Sequence, residues 1–118
     1  MKKLFITAGL ILTGTANVFA MTFNEAKLQD KPVIIMFHMD GCSSCKKFSP
    51  TFDKFSSKFS NKFNFVKENT KNSDIAKTLN FSYVPAFFIV EPKTMHAKRI
   101  EDNCAWDDKC FAKILTEY

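Results

Sequence analysis

Two cysteines separated by two residues, Cys42 and Cys45, carry the most informative chemistry of the chain. They stand where an apolar, β-branched run gives way to a helical pattern, so Cys42 is predicted to lie at a helix N-terminus. The free amide groups and the dipole at that end of a helix favour a thiolate. Lys46 and Lys47 add positive potential nearby, whereas Asp40 opposes it. Cys45 lies one turn further along, close enough to attack a mixed disulfide on Cys42 and close a small ring.

Two other interpretations of this pair are a purely structural disulfide and half of a zinc site. Zinc usually requires a second pair of ligands. Cys104 and Cys110 have the wrong spacing for a second close pair, and His38 and His96 form no ligand motif with them. We therefore favour redox chemistry and expect no metal. Capture of a soft metal such as copper by the C-x-x-C pair is the competing binding function.

The second cysteine pair, Cys104 and Cys110, flanks residues 105–109 ahead of the predicted last helix. We favour a structural disulfide that clamps this loop to the helix start, a closure that contributes at most a few kcal/mol. The alternative is a second redox pair that relays electrons to or from the first. Trp106, between the two cysteines, is expected to pack against the protein rather than to bind a ligand.

His38 is a further candidate for chemistry, because it precedes Cys42 by four positions. A protonated imidazole at that place would lower the pKa of the thiol. The residue is equally consistent with an ordinary histidine at the end of a strand, so both interpretations stay open.

The elements that position these residues follow from periodicity. Residues 32–37 form a continuous apolar run typical of a strand buried on both faces. From Ser43 onward, phenylalanines at helical spacing predict a core-facing helix that Pro50 bends. Strands separated by helices are expected to run parallel, and a terminal hairpin adds an antiparallel edge, which makes an α/β domain. The other predicted strands are at 63–66, 86–90 and 95–100. The other predicted helices run from a capping box at Thr22 and Glu25 to Gln29, over 72–79, and onward from Asp107 and Asp108. The phenylalanines at helical spacing are Phe48, Phe52, Phe55 and Phe59.

Three of these features, in the same order, resemble the thioredoxin family. A buried strand leads into the C-x-x-C pair, and Pro50 follows Cys45 by five residues, as the helix-kinking proline of the family does. Val84-Pro85 precedes a buried strand, as the cis-proline of the family does. The resemblance covers essentially the whole chain after residue 20.

This resemblance implies a thioredoxin-like fold with a mixed central sheet of about four strands flanked by helices. It also implies a thiol–disulfide oxidoreductase that needs no bound cofactor. In such an enzyme Cys42 is the attacking thiolate and Cys45 resolves the mixed disulfide. Val84 and Pro85 would present a backbone edge to substrate polypeptide.

The chain also departs from the cytoplasmic members of the family, which usually have Trp-Cys-Gly-Pro-Cys where this chain has Gly41-Cys42-Ser43-Ser44-Cys45. Met36 replaces the buried acid that is thought to help deprotonate the resolving cysteine, and the first edge strand of the family is missing. These changes look like the exported thioredoxin-like proteins of bacteria. Reduction is slightly favoured as the direction of electron flow, and a disulfide-forming oxidase is the alternative.

The N-terminus is predicted to be an export signal. Lys2 and Lys3 precede an apolar stretch at 4–12, and Val18-Phe19-Ala20 suits a signal peptidase. An uncleaved anchor is the alternative, but Gly14, Thr15 and Asn17 break the run below the roughly 20 apolar residues of a spanning helix. We expect a signal peptide at 1–20, one domain at 21–118 and a location outside the cytoplasm, in a bacterial periplasm.

Length and charge limit the remaining classes of function. The chain has 118 residues, which suit one domain, and 46% hydrophobic residues, which argue against disorder. Its formal charge of +5 falls to +3 without Lys2 and Lys3, leaving 15 basic and 12 acidic residues, too mild a balance to indicate nucleic-acid binding. We expect a monomer whose partners are cysteine-containing exported proteins and a redox donor or acceptor, for which a membrane protein is one option.

Overall fold

The computed structural model describes residues 21–118, so the predicted signal peptide at 1–20 lies outside the described residues. No helix within 21–118 is long and apolar enough to cross a membrane. The elements are α1 (Phe23–Ala26), β1 (Val33–His38), α2 (Ser43–Lys58), β2 (Asn64–Asn69), α3 (Asp74–Thr78), β3 (Ala86–Glu91), β4 (His96–Ile100), α4 (Asp102–Ala105) and α5 (Asp108–Glu117).

The four strands form one mixed sheet in the order β2-β1-β3-β4. β2 pairs parallel to β1, while β3 pairs antiparallel to β1 and β4 antiparallel to β3. The expectation that all strands separated by helices run parallel is therefore wrong for β3. The only helix between β2 and β3 has five residues, about 7.5 Å of rise, against about 20 Å for a six-residue strand. This helix does not carry the chain back along the length of the sheet. β3 therefore starts at the same end of the sheet at which β2 finishes.

Burial of β1 on both faces explains its uninterrupted apolar sequence. Ile34 and Met36 point into one core cluster, and Val33, Ile35 and Phe37 point into another. The first cluster lies between the sheet and helices α2, α4 and α5, and the second lies under α1 and α3. The phenylalanine stripe of α2 contributes to the first cluster as predicted: Phe48, Phe52 and Phe55 are buried and Phe59 is partly buried.

The ends of several elements differ from the prediction. The capping box at Thr22 and Glu25 is present, but α1 ends at Ala26 instead of Gln29. β2 extends through polar residues to Asn69, because a strand at the edge of the described sheet accepts polar side chains. The short helix α4 was not predicted, whereas α5 begins as expected, with Asp107 as its N-cap.

Candidate active site

The loop that follows β1 brings Cys42 to the start of α2. The Cys42 amide donates to the Met39 carbonyl at 3.3 Å and closes a turn over Asp40 and Gly41. Gly41 has φ +77°, a left-handed conformation that other L residues rarely adopt. The glycine that stands where cytoplasmic thioredoxins have tryptophan is therefore required by this turn.

The two cysteines at the start of α2 are bonded to each other and differ in accessibility. Their Cα atoms are 5.3 Å apart. Cys42 is the N-cap residue and remains partly exposed, whereas Cys45 is only 4% exposed. The Cys45 amide donates to the Cys42 sulfur at 3.1 Å. An incoming sulfur atom can reach Cys42 from solvent, and Cys45 is shielded.

The Val84-Pro85 bond is cis, as the resemblance implied. Ala86 pairs with Phe37, the penultimate residue of β1, so Pro85 lies beside the end of the strand from which the cysteine loop departs. Pro85 is buried and Val84 is half-buried, while the preceding Tyr83 is 53% exposed. The backbone of this segment and the cysteine pair thus lie at the same end of the sheet, next to the last residues of β1.

Beside the cysteines is a cavity of about 380 Å³, partly open to solvent, whose lining includes Met36, His38, Cys45 and Lys67. Lys67 on β2 is the register partner of Met36 on β1, and its side chain reaches across the cavity to α2. There its Nζ lies 2.8 Å from an Asp53 carboxylate oxygen. The same ammonium donates a short hydrogen bond to the Ser49 hydroxyl. The cavity therefore contains a fixed positive charge beside an apolar Met36.

Burial and the Lys67 charge lower the pKa of His38 below its ordinary value of 6.5, and nearby Asp40 and Glu68 only partly oppose this. Both effects favour the neutral imidazole, which therefore predominates at pH 7. This shift argues against the hypothesis that a His38 imidazolium lowers the thiol pKa of Cys42, which stays a prediction. The structure nevertheless places His38 in the cavity with both cysteines, so it is more than an isolated strand-end residue.

Substitution of Lys67 with methionine is expected to raise the pKa of His38, because it removes a positive charge that disfavours the imidazolium. The measurement is an NMR titration of the His38 ring, with the His96 ring signals as an internal reference. A His38 pKa that stayed the same or fell in Lys67→Met would contradict the electrostatic role of Lys67.

The outer cysteines, Cys104 on α4 and Cys110 on α5, are also bonded to each other, with Cα atoms 5.1 Å apart. Cys104 is 8% exposed and belongs to the first core cluster. Between the two cysteines, the Trp106 ring packs edge-on against Phe48 at a centroid distance of 4.8 Å. The expectation that Trp106 packs against the protein is confirmed, although 46% of the residue remains exposed.

Sequence reasoning missed Lys67, Asp53 and Ser49 as parts of the site. The available signal was weak: Ser49 and Asp53 are four residues apart on the face of α2 that also carries Cys45, and Lys67 directly follows the strand predicted at 63–66. Their pairing depends on the register between β1 and β2. In residues 21–118 no group of three or more His, Cys, Asp or Glu side chains is arranged to hold a metal ion.

The family model described as thioredoxin matches residues 14–113. Among curated relatives, thioredoxin of Borreliella burgdorferi is 36% identical over 62 residues, which make up 52% of this chain and 53% of that protein. The chain therefore spans about half the length of this relative.

Solved structures give a second, independent comparison. A thioredoxin of Malassezia sympodialis superposes with a TM-score of 0.65 at 22% identity, covering 81% of this chain and 87% of that one. The first thioredoxin domain of mouse protein disulfide-isomerase A4 has a TM-score of 0.68 at 17% identity, covering 80% and 68%. These identities support the fold alone. The match of the family model over most of the chain goes further, and with it the chain belongs to the thioredoxin family.

Proposed function

We propose that this protein is a thiol–disulfide oxidoreductase that acts on cysteine-containing polypeptides outside the cytoplasm, with reduction as the favoured direction. The observation that carries the proposal is the asymmetry of the pair, in which Cys42 caps α2 and is partly exposed while Cys45 is 4% exposed. A structural disulfide does not need one sulfur open to solvent at a helix N-terminus. An exchange reaction needs that arrangement.

The reaction proceeds in two exchanges. The Cys42 thiolate attacks one sulfur of a substrate disulfide, forming a mixed disulfide and releasing the other substrate sulfur as a thiolate. The Cys45 thiolate then attacks the Cys42 sulfur, forming the Cys42–Cys45 disulfide and releasing the second substrate sulfur. Two electrons pass from the cysteine pair to the substrate. The same steps in reverse oxidise a substrate dithiol, which is the alternative direction.

Local structure favours the thiolate on Cys42. The Cys45 amide donates to its sulfur, so the negative charge is hydrogen-bonded at the positive end of a 16-residue helix. Lys46 also lines the cavity, and its ammonium adds positive potential. Each of these interactions stabilises the charged form more than the thiol.

Substrate polypeptide is proposed to bind along Val84 and Pro85. This segment lies beside the end of β1, at the same edge of the sheet as Cys42, and the exposed Tyr83 ring adjoins it. An extended substrate segment lying there would bring its own disulfide to the outer sulfur. The partners would be cysteine-containing exported proteins and a redox donor or acceptor.

Export is supported by the signal-peptide pattern at residues 1–20. Two disulfides among the described residues are consistent with an oxidising compartment such as a bacterial periplasm.

Trapping of mixed disulfides tests the function directly. In Cys45→Ser the resolving sulfur is absent, so adducts with exported proteins are expected to accumulate. In Cys42→Ser few or none are expected, because the remaining sulfur is buried. Cells expressing the full chain are acid-quenched, alkylated and compared on non-reducing gels. Proteins with native disulfides among the trapped partners would indicate a reductase, and newly exported chains an oxidase.

Two outcomes would count against the proposal. If folded, exported Cys45→Ser formed no reducible adduct, exchange chemistry at Cys42 would be excluded. If, in addition to this absence of adducts, the reduced wild-type protein bound copper stoichiometrically and Cys42→Ser did not, the metal-binding hypothesis would replace the proposed function.

A further inference from the structure

The Cys45 sulfur must lose a proton before it can attack the mixed disulfide. Cys45 is 4% exposed, and burial in apolar surroundings favours the neutral thiol over the thiolate. Met36, which lines the same cavity, has no group that accepts a proton. A base elsewhere in the cavity would therefore accelerate the resolving step.

The other ionisable side chains in the cavity narrow the choice. Lys67 is held as an ammonium by Asp53 and Ser49, and an ammonium has no lone pair to accept a proton. Lys46 is an exposed ammonium and is excluded for the same reason. Asp40 also lines the cavity, but its carboxylate is exposed and accepts a hydrogen bond from the Asn69 amide at 3.0 Å, so it is engaged by solvent and by β2 and is not buried beside Cys45.

His38 is the remaining group. Strand alternation places its side chain on the same face of β1 as Met36, facing the start of α2, and it lines the cavity with Cys45. We infer that His38 accepts the proton of Cys45 in the resolving step, directly or through one water molecule. This inference rests on the proposed function.

The step balances without an outside reagent. The proton of Cys45 moves to the imidazole nitrogen, and the resulting thiolate attacks the Cys42 sulfur. The Cys42–Cys45 bond forms as the bond between Cys42 and the substrate breaks. The substrate sulfur leaves as a thiolate, which takes the proton back from the imidazolium or from solvent.

The charges around His38 suit a transient acceptor. From β2, Lys67 opposes the imidazolium while Glu68 favours it, and Asp40 in the following loop also favours it. From α2, Lys46 adds a positive charge. The neighbouring segment 84–86 has no ionisable side chain. Burial and Lys67 prevail and lower the pKa of His38. The unprotonated imidazole therefore predominates at pH 7, and a proton that it accepts from Cys45 is readily released again.

The test uses the reduced protein and the disulfide reagent 5,5′-dithiobis(2-nitrobenzoate) in stopped flow. Attack by Cys42 releases one thionitrobenzoate, and resolution by Cys45 releases the second. In His38→Gln the second phase is expected to slow by about 100-fold at pH 7, a usual contribution of general-base catalysis. The first phase is expected to stay the same, because the lost imidazole is neutral. His96→Gln, at an exposed position on β4, is the matched control.

The pH profile separates proton transfer from a structural effect. In the wild type the second phase is expected to level off above an inflection below pH 6.5, since a neutral base and a neutral thiol react. In His38→Gln its logarithm is expected to rise by one per pH unit, because only the pre-formed thiolate reacts. In His38→Ala, added imidazole is expected to restore the rate in proportion to its free base.

The outcomes distinguish the two hypotheses. A wild-type protein that released no thionitrobenzoate from Cys42 would overturn the proposed function. Two normal phases, with a second phase and profile unchanged in His38→Gln, would overturn the inference alone. If the variants failed to fold, a wild-type second phase that rose tenfold per pH unit from pH 5 upward would overturn it without them.

Discussion

Replacement of Phe111 with alanine is expected to lower the free energy of unfolding by about 3–5 kcal/mol, as for other buried phenylalanines. The residue is fully buried. Its ring lies 4.7 Å from that of Phe55, 6.2 Å from that of Phe48 and 6.3 Å from that of Phe87, measured between centroids. Because these neighbours belong to α2 and β3, they cannot all move into the space left by the Phe111 ring, and most of the lost packing is not recovered.

Urea denaturation of the oxidised protein provides the measurement, with Leu28→Ala as the control. Leu28 is 82% exposed, so its truncation is expected to change stability by no more than about 0.5 kcal/mol. A loss below about 1 kcal/mol in Phe111→Ala would mean that α5 is not anchored through this ring.

Features encoded by local sequence were the ones that could be predicted. The spacing of phenylalanines specifies which face of α2 is buried, whatever the rest of the chain does. The position of Cys42 at a strand–helix junction follows from the change of period at that point. Pro85 was identified because a proline before a buried strand, with Pro50 after the C-x-x-C pair, resembles one family.

Features that depend on contacts between distant segments were not predictable in the same way. The antiparallel direction of β3 follows from how the chain between β2 and β3 crosses, or fails to cross, the sheet. The approach of Lys67 to Asp53 depends on the parallel register that sets Lys67 opposite Met36. Neither carries a periodic signal. The lowered pKa of His38 likewise comes from burial and from a charge on another strand.

The outer disulfide joins α4 to the start of α5, two helices that also contribute buried residues to the first core cluster. α4 has four residues, too few to be stable alone. Cys104 packs in the core, and its bond to Cys110 holds the intervening loop, where Trp106 lies on Phe48 of α2. Phe48 follows Cys45 by one turn. Through Trp106 the loop therefore contacts the helix that carries the redox pair, and in this structure Cys104 and Cys110 are bonded to each other and not to Cys42 or Cys45.

The double variant Cys104→Ser/Cys110→Ser is therefore expected to lose stability and keep its exchange activity. Opening a loop of this size removes about 2–3 kcal/mol of stabilisation, which lowers Tm by roughly 10–20 °C for a domain of this length. Calorimetry of oxidised samples measures the first effect, and the two thionitrobenzoate phases, recorded below the lowered Tm, measure the second.

If the folded double variant released thionitrobenzoate from Cys42 normally but could no longer be recycled by its reductant, electrons would be reaching Cys42–Cys45 through the outer pair. Unchanged recycling, together with the lower Tm, would assign Cys104–Cys110 to holding α4 and α5 together.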